Sequence, residues 1–154
     1  MRILGVDTGI RSAGYAVLNK RRKIIDYGVL KTSNSSSLEE RLMMIYKGLK
    51  KVIAKNKPDI AVYERIFYQK NPSTLILMAQ ARGVLLLAAQ ELGVKVHEIT
   101  PAEIKQVITG NGRASKAEVR SKLETILGKK VAGSYHVSDA VACVLCYLLK
   151  EVHP

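Results

Sequence analysis

Apolar positions fall along this chain in short blocks whose period shifts between two and about 3.6 residues. Arg2–Asp7, Ala13–Asn19 and Lys23–Leu30 read as β-strands joined by short turns, the second of which is the basic run Lys20–Lys23. Strands so connected predict an antiparallel meander. A Ser-rich connector, Thr32–Ser37, follows. Ser37 and Glu40 then form the capping-box signature of a helix start. Leu38, Leu42, Ile45, Leu49 and Val52 step by four and three along one helical face, and Lys57 and Pro58 end the pattern after Asn56. Asp59–Glu64 reads as a fourth, buried strand. Asn71 and Pro72 suit the cap and first position of a second helix, Ser73–Leu92, with Gly93 as its stop. Val94–Ile99 predicts a fifth strand and Pro101–Ile108 a short helix. Thr109–Ser115 is a glycine-rich loop, Ser115 and Glu118 make a second capping box ahead of Val119, Leu123 and Ile126, and Tyr135–Lys150 predicts the last helix. Neither a repeat nor a linker interrupts this order, which predicts one domain over residues 1–154.

The crossover from the meander through a helix to Asp59–Glu64 is of the kind that forms a parallel, right-handed unit. If that strand lies beside the first, Asp7 and Glu64 end neighbouring strands about 4.8 Å apart. Two carboxylates that close repel unless a cation or a shared proton lies between them. The second helix is apolar on most sides, which predicts burial on several faces, partly by another subunit, with Leu85 or Leu86 on the self-association face. No apolar run is read as long enough to span a membrane.

Charge changes the picture most: 25 Lys and Arg stand against 13 Asp and Glu, a net charge of +12. Such a balance favours a polyanionic partner, most often nucleic acid. At 154 residues, 47% of them hydrophobic, the chain is long enough for a real core and is not a disordered segment. Cys143 and Cys146, its two cysteines, lie in an apolar helical stretch and read as core residues, with no disulfide framework. No signal-peptide pattern is read at the start, and the expected location is cytoplasmic.

His136 and Asp139 are three residues apart at the start of the last helix and share a face. Because the helix is apolar beyond them, that face docks on the sheet, and four side chains could converge: Asp7, Glu64, His136 and Asp139. An oxygen-rich set with one imidazole suits Mg²⁺ or Mn²⁺ rather than structural zinc.

The stretches "ILGVDTGIRSAGYAVL", "VYERIFYQKNPSTLILMAQARGVLL", "ITPAEIKQVITGNGRASKAEV" and "HVSDAVACVL" resemble, in this order and spacing, the motifs of the RuvC family of Holliday-junction resolvases, over Arg2 to about Leu149. The resemblance implies an RNase H-like α/β fold: a five-stranded mixed sheet, an antiparallel meander plus two parallel strands, flanked by helices. It implies a homodimer that nicks two strands of a four-way DNA junction symmetrically in recombination and repair, leaving 5′-phosphate and 3′-hydroxyl ends. Asp7, Glu64 and Asp139 match the family's acids, and His136 stands where members carry Asp or His. All four are expected as catalytic and metal-binding residues, with two Mg²⁺ per site or Mn²⁺ in their place. A branch-migration helicase complex of the RuvA and RuvB type is implied as a partner.

Lys105, Arg113 and Lys116 flank the Gly110–Gly112 loop and Lys70 lies in the loop after Glu64, all four as expected phosphate contacts. Phe67, in the same loop, could stack on an unpaired base, and Tyr68 is a weaker candidate. "GVDTG" also occurs in actin-like ATPases, but those need two such domains around the nucleotide. Another RNase H-type nuclease, or a non-catalytic nucleic-acid-binding module, would keep the same fold.

Overall fold

The structure, a computed structural model, describes residues 1–66 and 70–152. Five strands run in the order β3-β2-β1-β4-β5. They are β1 (Arg2–Asp7), β2 (Ser12–Asn19), β3 (Ile24–Lys31), β4 (Ile60–Glu64) and β5 (Lys95–Ile99). The first three form the expected meander, with β1 antiparallel to β2 and β2 antiparallel to β3. β4 runs parallel to β1, and β5 parallel to β4. The helices are α1 (Leu38–Asn56), α2 (Pro72–Glu91), α3 (Pro101–Thr109), α4 (Lys116–Leu127) and α5 (Tyr135–Val152).

Local sequence explains the helix boundaries. Ser37 with Glu40, Thr100 with Glu103, and Ser115 with Glu118 each form a complete capping box. The box at Thr100 was not among the expected ones. Asn71 caps α2 through the Ser73 amide, with Pro72 in the first turn. These caps satisfy amides that have no partner within their own helix.

The sheet divides the core in two. On one face Ile3, Ala16, Leu18 and Val62 pack under α3, α4 and α5. On the other Leu4, Val6, Val17, Ala61 and Tyr63 pack under α1 and α2. Alternation along β1 and β4 produces this split, since successive side chains in a strand point to opposite faces. Cys143 and Cys146 are buried, free thiols in the α5 layer, as expected. Tyr63, fully buried, donates its hydroxyl to the Leu85 carbonyl at 2.8 Å, which satisfies its polar end.

Three expectations for α2 need correcting. It is not buried on several faces within the chain: only Ala81, Leu85, Ala88 and Ala89 are buried. Leu85 belongs wholly to the core and cannot serve an exposed face, whereas Ile76 and Leu87 are 59% and 54% exposed. α2 is also long and apolar enough, by length and composition, to cross a membrane. Its single Arg82 and the interspersed Gln80 and Gln90 do not lower the mean hydropathy enough to fail that test.

Candidate active site

β1 and β4 are paired from Ile3 beside Ile60 to Val6 beside Tyr63, so Asp7 and Glu64 are each the next residue at the same end of two parallel strands. On the other side of Asp7 its partner across the β1–β2 ladder is Gly14. A Cβ at Gly14 would lie 2.2 Å from the His136 carbonyl oxygen, and one at Gly5 would lie 2.0 Å from the Ala140 carbonyl oxygen. Real side-chain carbons do not approach so closely, so both positions require glycine. α5 therefore presses its first two turns directly on the sheet, which brings His136 and Asp139 to the strand ends where Asp7 and Glu64 stand.

The four residues line one cavity of about 300 Å³ together with Thr8, Arg65, Ile66, Met78, Pro101, Lys116 and Tyr135. His136 Nδ1 lies 2.8 Å from Asp7 Oδ2, and His136 Nε2 lies 3.0 Å from Ser12 Oγ. Lys116 Nζ reaches Asp139 Oδ2 at 3.6 Å. Burial pushes the Asp7 carboxyl up to about 6, with Asp139 adding repulsion and the His136 hydrogen bond opposing it. Burial pushes Glu64 up to about 7, with Asp7 and Asp139 adding repulsion and Lys116 and Lys105 opposing it. Both acids thus carry unmet negative charge above neutral pH.

Among the described residues, no three His, Cys, Asp or Glu side chains are gathered closely enough to enclose an ion as they stand. The chemistry of the donors nonetheless fits a hard divalent cation. Three carboxylates border one cavity, two of them destabilised by burial and by repulsion from neighbouring acids, which a cation relieves.

Of the expected DNA contacts, Lys105 on α3 and Lys116 at the start of α4 line a small hollow shared with Glu64 and Asp139. Lys70 and Arg113 are exposed and stand outside the residues lining either hollow. Phe67 and Tyr68 lie outside the described residues. Sequence reading missed Ser12, Thr8, Arg65 and Tyr135. Arg65 directly follows Glu64, a position that could have drawn attention, and it pairs with Glu98 at 3.2 Å. Tyr135 is exposed and stacks under the Arg120 guanidinium, 5.0 Å from the ring centre. No spacing pattern marks Ser12, which meets His136 across 124 residues of chain.

A mixed sheet in this order, with acids at the ends of its two central strands and a helix delivering two more polar residues, defines an RNase H-like nuclease scaffold. Residues 3–147 match the family model described as "Crossover junction endodeoxyribonuclease RuvC". A protein of that name from Finegoldia magna is 39% identical over 152 residues, spanning 96% of this chain and 93% of the relative. One from Caldicellulosiruptor saccharolyticus is 36% identical, spanning 98% and 94%. Among solved structures, Thermus thermophilus RuvC superposes with a TM-score of 0.89 at 30% identity, covering 99% of this chain and 96% of that one. The same organism's RuvC in complex with a Holliday junction substrate superposes with a TM-score of 0.88 at 27% identity, covering 99% and 95%. The chain belongs to the RuvC family of crossover junction endodeoxyribonucleases, whose nucleases are metal-dependent.

Proposed function

We propose that this protein resolves four-way DNA junctions in recombination and repair, as a homodimer that makes paired symmetrical nicks leaving 5′-phosphate and 3′-hydroxyl ends. The observation that carries the reading is the convergence of Asp7, Glu64, His136 and Asp139 on one cavity, flanked by the cations Lys105 and Lys116. Asp7, Glu64, His136 and Asp139 would hold the ions, read as two Mg²⁺ per site with Mn²⁺ as a substitute. Bound there, such ions would supply an activated water at neutral pH and charge stabilisation for the leaving oxygen. His136 orients Asp7 through its hydrogen bond. Lys105 and Lys116 draw the backbone phosphate towards the acids, and Lys70, Arg113 and Phe67 extend the contact surface along the DNA.

The exposed apolar face of α1 and α2 supports the dimer. Met43 on α1 and Leu87 on α2 are about half exposed, and with Leu42, Tyr46 and Val84 they line an apolar groove of about 340 Å³. A second copy of this chain would cover it by a two-fold contact. A branch-migration complex of the RuvA and RuvB type would deliver the junction, in the cytoplasm.

Incubating the protein with four-way junctions, linear duplex and RNA–DNA hybrid, with and without Mg²⁺, tests the reading. Metal-dependent nicking confined to the junction, in symmetric pairs, is the expected outcome. Preferential cutting of the hybrid would instead identify another RNase H-type nuclease. Binding without cutting would identify a non-catalytic module.

A further inference from the structure

We infer that the turn Lys20–Lys23 and its basic neighbours form a second surface for duplex DNA, gripping the phosphate backbone at the end of the sheet away from the acids. This surface stands apart from the nuclease reading above, and its ligand is a further duplex beside the one held at the active site.

Strand pairing fixes where this end lies. Arg2 stands across from Asn19 and Asp7 across from Gly14, so the turn after Asn19 leaves the sheet at the end opposite the acids. β1 rises roughly 17 Å from Arg2 to Asp7. The end of α1 comes to the same place, because the Arg2 guanidinium donates to the Asn56 carbonyl at 2.8 Å. Lys57 follows directly. Along the edge strand β3, a hollow of about 250 Å³ begins at Ile24, just after the turn, and the exposed Lys129 and Lys130 form part of its wall.

The cations of the turn are unpaired and their backbone is fixed. Among the described residues, Lys20, Arg21, Arg22, Lys23 and Lys57 make no ion pair, whereas Lys55 is taken up by Asp26 at 3.1 Å. The Asn19 side chain accepts from the Arg21 and Lys23 amides at 2.9 and 3.0 Å. Its backbone carbonyl accepts from the Arg22 amide at 2.9 Å. Lys20, Arg21 and Lys23 are exposed. A backbone tied in this way loses little further freedom when its side chains bind.

Backbone conformation points the same way. Among the described residues, two that are not glycine have a left-handed backbone, Arg22 at φ 63° and Lys57 at φ 47°. Glycine or asparagine takes that conformation at lower cost, and glycine is the usual residue where Lys57 ends α1. Both positions carry a cation instead, and both lie at this end of the sheet. Local folding preference does not select either one, which leaves their charge as the reason. These cations come from a turn, a helix end and a loop, and they are spread along an edge rather than gathered round one pocket. Such a spread suits a regularly charged polymer, and the phosphate backbone of a duplex is held without reading its sequence.

The surface is tested by loading an immobilised four-way junction with the full chain, without metal, and offering a labelled linear duplex. The wild type should retain the duplex. The triple variant Lys20→Gln, Arg21→Gln, Lys23→Gln should retain it at least roughly tenfold less, with a salt dependence lower by about three phosphate contacts. Its junction affinity and nicking rate should stay within about twofold. Arg22→Gly and Lys57→Gly should each weaken retention about threefold while keeping or raising the melting temperature. Without a junction, the wild type should bind about one more short duplex per chain than the triple variant. Equal retention by the two proteins overturns the inference, and so does a wild type that retains none. A triple variant that loses junction binding in step makes the turn part of the junction surface and overturns its separateness. Unchanged retention in both glycine variants overturns the part given to Arg22 and Lys57. Tighter binding of polyglutamate than of a duplex of equal charge assigns the surface to an acidic protein instead. A wild type that binds no junction removes the nuclease reading, while the count of short duplexes still decides this inference.

Discussion

α5 and α2 are both strongly apolar, yet one face of the sheet swallows the first and the other leaves the second half out. From Ala140 to Cys146 every residue of α5 is buried. In α2 only 22% of its most apolar window is buried. The difference lies in what each helix meets. α5 sits on Gly5 and Gly14, which let its backbone touch the strands, and it carries His136 and Asp139 to the acids there. α2 shares its layer with α1 and ends in an open groove. One face is closed down onto the strand ends, and the other leaves an apolar groove open.

The sharpest break in this contrast comes at the closed face. Asp7→Asn should lower junction nicking by ~10²-fold or more, the scale of losing a principal charge-stabilising group. Junction affinity without metal, read by gel shift, should stay within a few-fold, because Lys and Arg carry the phosphate contacts. A folded mutant that no longer binds junctions would undo this division of labour.

Next in size are two leucines two residues apart on α2. Leu85→Ala removes a fully buried side chain and should cost about 2–5 kcal/mol in urea unfolding. Leu87→Ala should change monomer stability by less than about 0.5 kcal/mol. Leu87→Glu should halve the mass seen in light scattering and uncouple the two nicks. A dimer of unchanged mass in Leu87→Glu would count against the open face as the interface.

Gly14→Ala sharpens the contrast from the other side. Its Cβ would meet the His136 backbone, and overpacking of this kind costs about 1–3 kcal/mol. Cleavage should fall more than stability does, since the displaced segment carries His136. Equal nicking by Gly14→Ala and wild type would show that the close approach does not set the site.

The smallest effect is one of pH. Asp7 and Glu64 are pushed up to about 6 and about 7 in the folded chain. The folded state thus binds more protons than the unfolded one between their ordinary values and these. Stability from this pair is complete below the ordinary carboxylate range and declines as pH rises through 6 and 7. Without metal, the melting temperature should drop by roughly 3 °C or more between pH 5 and pH 8. Asp7→Asn should flatten the slope, and Mg²⁺ should raise the pH 8 value. A flat profile in the wild type would mean that burial does not raise these two acids.

The strand and helix order was legible because capping boxes and apolar periods are local signals, and Leu38–Asn56 matches its expected span. The meeting of Asp7, Glu64, His136 and Asp139 on one cavity was legible because two of them end strands and two lie at the start of a helix that periodicity marks. Ser12 was not, since its meeting with His136 depends on how two distant elements dock. Gly5 and Gly14 read only as strand residues, because a close approach has no signature until the approaching helix is known. The open face of α2 was half legible. An apolar pattern all round a helix says that its sides seek cover, but nothing local says that Leu85 finds it in the core while Leu87 stays exposed.

The glycine contacts beneath α5 also bear on transplanting this site into another scaffold. Its four polar residues sit on three separate elements, and none is held by a loop that could be cut out and grafted. The portable unit is the bare patch of β1 and β2, with β4 beside it and the helix that lies on it. A designer who copies the acids and histidine onto a sheet bearing ordinary side chains at positions 5 and 14 would lift the helix away and leave the donors stranded above the strand ends.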